Sequence, residues 1–156
     1  TSSPTCDRAS ARGAHAAGDP YQIAGTKLAA NRVYFGVDPY QALYLGDLDA
    51  ATKGTAKWTK VVGVDDKAVD VGIAGGYVYL RTSKRAPRFE IVRMPLSSPD
   101  PARAEVVVPA SESVIVSMRA ARDALYVVRR DGATHSLWRL KHGAAAKPVQ
   151  GRPRCA

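Results

Sequence analysis

Apolar residues along this chain come in short runs that alternate with polar positions at a period close to two. Three runs stand out: Arg32-Val33-Tyr34-Phe35, Gly76-Tyr77-Val78-Tyr79-Leu80 and Ala124-Leu125-Tyr126-Val127-Val128. Each is rich in β-branched and aromatic residues and follows Gly, Asn or Asp punctuation, which is the signature of a strand entered from a turn. No window of ten or more residues carries a 3.6-residue apolar stripe, so helix content is expected to be low.

The runs are also related to one another. Tyr34 to Tyr79 is 45 residues and Tyr79 to Tyr126 is 47. A second strand follows each run: Leu43 to Leu48, Phe89 to Met94 and Leu137 to Leu140. Then comes a short outer strand, Trp58 to Val62 and Ala104 to Val108, with a weaker Lys147-Pro148-Val149 in third place. Another strand precedes a run at Val69 to Ile73 and at Val114 to Met118. Four strands repeated every 40–50 residues predict blades of a β-propeller. A sandwich of about twelve strands would alternate too, but would not repeat the same strand order. The fold expected is all-β: about three four-stranded blades, over residues 21–62, 63–109 and 110–149, between an unstructured lead-in at 1–20 and a tail at 150–156. Inner blade strands carry bulk on both faces, as Val33/Tyr34/Phe35 and Val78/Tyr79/Leu80 do, so the aromatics are assigned to the core. Three blades do not close a ring, so the chain is expected to be part of a larger propeller or to pair with another copy.

Composition sharpens this picture. Hydrophobic residues make up 46% and charged residues 24%, as in a folded domain rather than a disordered tail. No apolar run approaches the roughly 18 residues of a spanning helix, and no signal peptide opens the chain, so no membrane partner is expected. Net charge is +9. Residues 1–20 balance, residues 21–76 carry six charges of each sign, and the whole excess falls in residues 77–156. A basic half suits nucleic acid or an acidic surface. With the aromatics committed to the core, the charge is read instead as decorating hairpins and outer edges, and no nucleic acid is expected. Cys6 and Cys155 form no Cys-x-x-Cys pair and lie in stretches without periodicity, which predicts free thiols and no zinc site.

Candidate chemistry is sparse. There is no Gly-x-Ser-x-Gly elbow; the serines cluster at Ser2-Ser3, Ser97-Ser98 and Ser111/Ser113. His15 sits in the lead-in, His135 in a hairpin turn and His142 after a strand, none at ligand spacing from Cys, Asp or Glu. Gly72 to Gly76 reads as a turn between strands, not a phosphate cradle. No catalytic residue, metal or cofactor is expected of this chain.

Specific segments then carry a resemblance. Thr82-Ser83-Lys84-Arg85-Ala86-Pro87-Arg88-Phe89-Glu90-Ile91-Val92-Arg93 resembles a strand, polar turn and strand in the propeller domain of the prolyl oligopeptidase family. Lys57-Trp58 with Val61-Val62 is similar to that family's Trp-containing outer strand, and Val107-Val108-Pro109 to its Val-Val-Pro segment. Gly36-Val37-Asp38-Pro39, followed by Leu43-Tyr44 and Asp47-Leu48, resembles its Gly-Cys-Asp-Pro loop and next strand. The resemblance covers about Tyr21 to Val149. It implies a cytosolic or periplasmic serine peptidase that cleaves short peptides after proline. Its Ser, Asp and His belong to an α/β-hydrolase domain outside this chain, and the propeller gates access. It also implies that Gly36, Val37 and Asp38 face the substrate cavity, with Val37 where a Cys is often found; a plain tight hairpin accounts for the loop equally well. A non-catalytic propeller serving as a protein-binding scaffold is the alternative. Arg85 and Arg88 are expected to be solvated.

Overall fold

The computed structural model describes residues 16–17 and 20–144; the lead-in before them, both cysteines and the weak strand at 147–149 lie outside the described residues. The chain divides into two compact units, one ending at Val64 and the other beginning at Asp65.

The first unit is one antiparallel sheet. Strands β1 (Ala16–Ala17) and β2 (Pro20–Gln22) both pair with β3 (Leu28–Phe35), which pairs with β4 (Gln41–Asp47), which pairs with β5 (Thr59–Val62). A five-residue helix α1 (Leu48–Thr52) leaves β4. Its N-cap is Asp47, whose carboxylate accepts from the Ala50 N–H at 2.8 Å. The segment expected to be strand through Leu48 therefore turns one residue early, because Asp47 caps a helix rather than pairing onward. Ala29, Ala30, Leu43 and Val62 are buried. Trp58 leads into β5 instead of lying within it. Its ring sits 3.1 Å from where a Cβ on Gly46 would be, so a side chain there would collide with the indole.

The second unit is two sheets packed face to face. One runs β6 (Ala68–Ala74), β7 (Tyr77–Thr82), β8 (Glu90–Pro95), β9 (Glu105–Val108); the other runs β10 (Val114–Ala120), β11 (Leu125–Asp131), β12 (Thr134–Leu140). Tyr79, Ile91, Val107 and Val108 of the first meet Ile115, Met118, Leu125, Val127 and Leu140 of the second in one buried cluster. Close approach is possible because Gly72 faces Ala120: a Cβ on Gly72 would lie 2.8 Å from that of Ala120. Gly72 is thus a strand residue of β6. Only Gly75 and Gly76 form the expected turn, with φ of +60° and +79° that side-chain-bearing residues rarely adopt. Regular helix among the described residues is limited to α1 and two single 3-10 turns, in line with the absence of a helical stripe.

The described residues are thus all-β, three antiparallel sheets matching part of a β-propeller. Strand pairing also corrects the repeat register. Tyr79 pairs with Arg93 and Tyr126 with Arg139, so the 47-residue spacing joins equivalent positions. In the first sheet the β4 bulge falls at Leu43, as the β8 bulge falls at Ile91. Their β-partners Arg32 and Arg81 are therefore equivalent, and Ala30, not Tyr34, stands where Tyr79 stands. Tyr34 lies beside the hairpin and is 41% exposed. The bulk expected from Val33/Tyr34/Phe35 is supplied in that core by alanines and by β4.

Overpacking at the Gly72–Ala120 contact gives a direct check. Gly72→Val is expected to lower the stability of the chain in urea unfolding by about 1–3 kcal/mol. Ala120→Gly should recover part of that loss, whereas a cost unchanged by the second substitution would place the clash elsewhere.

Candidate functional site

The predicted cavity loop joins β3 to β4. Gly36 has φ +60°, which allows the chain to reverse directly after Phe35. The Asp38 N–H donates to the Phe35 carbonyl at 3.0 Å, and the Asp38 carboxylate accepts from the Tyr40 N–H at 2.9 Å. Gly36, Val37 and Asp38 are all exposed, and the Val37 side chain has no cover at all. The loop is a self-bonded hairpin that presents one aliphatic group to solvent.

The remaining candidate chemistry is tied into the second unit. His135 is not in a turn: it is the second residue of β12, exposed and paired with Arg130. His142, which follows β12, is the histidine that matters to the structure. Its Nε2 lies 2.7 Å from the Ala121 carbonyl, which can only accept, so Nε2 carries the hydrogen. In the neutral ring Nδ1 then accepts from the Tyr79 hydroxyl at 2.8 Å. The ring also rests on Gly75, where a Cβ would meet it at 2.5 Å. Both nitrogens are therefore spent in joining the sheet of Tyr79 to the sheet that His142 leaves. The Ser111 and Ser113 hydroxyls bond one another at 3.0 Å. Among the described residues no group of three or more His, Cys, Asp or Glu is placed to hold a metal ion.

Arginines do the rest of the joining, a role that reading them as surface decoration misses. Arg81 bonds Asp70 at 2.8 Å, lies over the Phe89 ring at 4.7 Å and donates to the Ile115 carbonyl of the facing sheet at 3.0 Å. Phe89 is held at φ +67°, a strained setting for an aromatic residue, closed by its N–H donating to the Ala86 carbonyl. Arg93 bonds Glu105 at 2.9 Å, lies over Tyr77 at 4.9 Å and donates to the Ala144 carbonyl. Arg129 is buried over Trp138 at 4.4 Å and donates to the Pro109 carbonyl at 3.3 Å. It has no carboxylate partner among the described residues, and burial lowers its pKa. Arg85 and Arg88 are exposed, as expected, and each also has an acidic partner. Arg85 pairs with the buried Glu90 at 2.8 Å, and Arg88 with Glu112 at 2.9 Å. The sequence signal for the interior arginines is their phase: Arg81, Arg93 and Arg129 occupy core-side positions of their strands, where alternation would place an apolar residue.

Burial pushes the Tyr79 phenol above its ordinary 10.0, while the nearby Arg93 guanidinium pulls the other way. The hydroxyl therefore stays protonated as the donor to His142. On the far side of the third sheet, hydrogen bonds from Tyr126 and then Arg139 hold the Asp123 carboxyl below its usual range.

Residues 32–150 match the family model described as the prolyl oligopeptidase N-terminal β-propeller domain. No curated protein sequence matches the chain. Among solved structures, one from a study of two prolyl endopeptidases superposes with a TM-score of 0.67 at 18% identity, over 88% of this chain and 20% of that chain. Prolyl oligopeptidase B from Galerina marginata, as the apo protein, gives 0.63 at 16%, over 86% of this chain and 19% of its own. The same enzyme bound to a 25mer macrocyclization substrate gives 0.65 at 15%, over 88% and 19%. At these identities the likeness is one of fold. The chain spans about a fifth of the length of those structures.

The buried phenol has a signature in alkali. A folded-state value above 10.0 means that its contribution to stability is complete below pH 10 and is lost as pH rises through the higher folded value. Ultraviolet titration of tyrosinate is expected to show late-ionising phenols, among them Tyr79. Tyr79→Phe should remove one of them and cost about 1 kcal/mol through the orphaned His142 nitrogen. An unchanged count of late phenols would contradict the assignment.

Proposed function

The chain belongs to the family of prolyl oligopeptidase N-terminal β-propeller domains, and we propose from this membership that it forms part of the substrate-gating propeller of a prolyl-oligopeptidase-type serine peptidase. The observation that carries the reading is the family match over residues 32–150, which runs through all three sheets. The parent cleaves short peptides after proline, and its α/β-hydrolase domain supplies the nucleophile and base. This chain supplies a wall, not the reaction. That division of labour suits the chemistry present: His142 is consumed by Tyr79 and Ala121, and the interior cations bind backbone carbonyls.

The Gly36-Val37-Asp38 loop is the part of this wall proposed to meet substrate. Its main-chain groups are closed on themselves through Asp38, so what it offers is the bare Val37 side chain, suited to excluding bulk and water rather than to polar recognition.

The test is to express the reading frame that holds this chain beside the 156-residue chain alone. The longer product is expected to hydrolyse a short proline-containing chromogenic peptide while sparing the same sequence inside a folded protein. The short chain should hydrolyse neither. Val37→Arg in the longer product should raise KM several-fold with little change in kcat or thermal stability. Turnover by the short chain alone, or a frame without a hydrolase, would overturn the proposal; the latter would leave the scaffold reading.

A further inference from the structure

We propose that Ser111 is a phosphorylation site and that Arg129 is the receptor for the phosphoryl group it carries. The inference does not rest on the peptidase reading; its argument lies in one unsatisfied cation of the second unit.

Arg81, Arg93 and Arg129 project into the interior of this unit, but they are not equally provided for. Asp70 neutralises Arg81 at 2.8 Å, and Glu105 neutralises Arg93 at 2.9 Å. Arg129 is only 9% exposed, and among the described residues no carboxylate reaches it. Its Nη1 donates to the Ser111 hydroxyl at 3.4 Å and its Nη2 to the Pro109 carbonyl at 3.3 Å, both longer than a good hydrogen bond. Its Nε is buried with no hydrogen-bond partner among the described residues. The Trp138 ring covers one face of the guanidinium at 4.4 Å. A guanidinium carries five N–H donors and a full charge, and burying it without an anion is costly. What this group lacks is an anion on the side where Ser111 already touches it.

Ser111 is placed to supply it. It lies in the connector between β9 and β10, where Pro109, Ala110, Ser111 and Glu112 are all exposed, so its hydroxyl is open to a modifying enzyme. Ser113 is half-buried and bonds Ser111 rather than Arg129. The one carboxylate of the connector, on Glu112, is engaged by Arg88 at 2.9 Å. A protein kinase supplies the group from a nucleoside triphosphate. The Ser111 hydroxyl gives its proton to the kinase's base, the Oγ–P bond forms, and the bond from the γ-phosphorus to the bridging oxygen breaks to release the nucleoside diphosphate. The product brings close to two negative charges and three strong acceptor oxygens against the guanidinium. The Ser113 hydroxyl, 3.0 Å from Ser111 Oγ, is at hand as a further donor. Charge-assisted bonds then replace two long neutral ones, and the connector is tied to β11. A free anion is the poorer fit, because a guanidinium 9% exposed offers it little surface, whereas the phosphoryl group arrives on a residue already in contact.

The test has two arms. In the first, the reading-frame product is isolated from the cells that encode it, and its tryptic peptide Ala104–Arg119, which holds Ser111, Ser113 and Ser117, is sequenced by mass spectrometry. Phosphate is expected on Ser111; an unmodified peptide, or phosphate on Ser113 or Ser117 alone, overturns the proposal. In the second, the 156-residue chain is made with phosphoserine at position 111 or, as a control, at the exposed turn residue Ser97, and the phosphate is titrated by phosphorus NMR. Its second ionisation, about 6 in a free phosphoserine, is expected to fall to about 5 or lower at position 111 and to stay near 6 at position 97. Arg129→Met should return position 111 to about 6, and Arg129→Lys, which keeps the charge but not the fork, should give an intermediate value. If the Met variant does not fold, the comparison with position 97 and a shift of the Arg129 Nε–H proton resonance on phosphorylation decide the matter. Equal ionisation at the two positions overturns the proposal. Saturable binding of inorganic phosphate to the unmodified chain, lost with Arg129→Met, overturns it in favour of a free anion. Peptidase activity is not read in either arm, so the gating proposal and this one fail separately.

Discussion

A twisted sheet that is apolar on both sides must bury both, and in the second unit one seam does most of that burying. The seam is close because Gly72 lets Ala120 in. Closeness brings cations with it. Arg81 and Arg93 project from core-side positions, and a charge taken out of water there is costly unless it is paired and hydrogen-bonded. Each is given a carboxylate, an aromatic face and a carbonyl of the opposite sheet or its exit segment. The third contact is the consequential one, because a guanidinium that needs a carbonyl across the seam also fixes how the two sheets sit. The apolar cluster makes the contact favourable, and the arginines make it specific.

The same arrangement explains where the positive charge goes. Most cations of the second sheet are absorbed in ion pairs with Asp66, Asp70, Glu90, Glu105 and Glu112. The third sheet lacks that supply of acid: residues 114–144 hold six basic side chains and two acidic ones. Arg129 illustrates the difference within the interior: it has the ring and the carbonyl but no carboxylate among the described residues, and burial lowers its pKa.

The proposed role as a wall suits a domain held together in this way. Its histidine with two engaged nitrogens, its paired serines and its buried arginines all serve cohesion. Function in such a wall is left to hairpins, where exposed groups can change without disturbing a seam. The Gly36–Asp38 turn has that character: its backbone is satisfied locally, and Val37 is free.

The strand order, the low helix content and the all-β class were legible in the sequence, because a period of two depends only on which residues tolerate burial. The short motifs around Thr82–Arg93 and Gly36–Pro39 were legible for the same local reason, since turns are written in Gly, Pro and Asp. The register was not. Tyr34 and Tyr79 look alike in sequence, yet bulges at Leu43 and Ile91 make Ala30 the true counterpart of Tyr79. A bulge is settled by the pairing of two strands and leaves no mark in either alone. Nor could sequence separate an arginine that decorates an edge from one that crosses a seam. Arg81 and Arg85 are four residues apart and chemically identical. Only the packing of one sheet on another sends Arg81 to the Ile115 carbonyl and leaves Arg85 at the surface on Glu90, because burial is a property of the neighbouring sheet's position as much as of the residue.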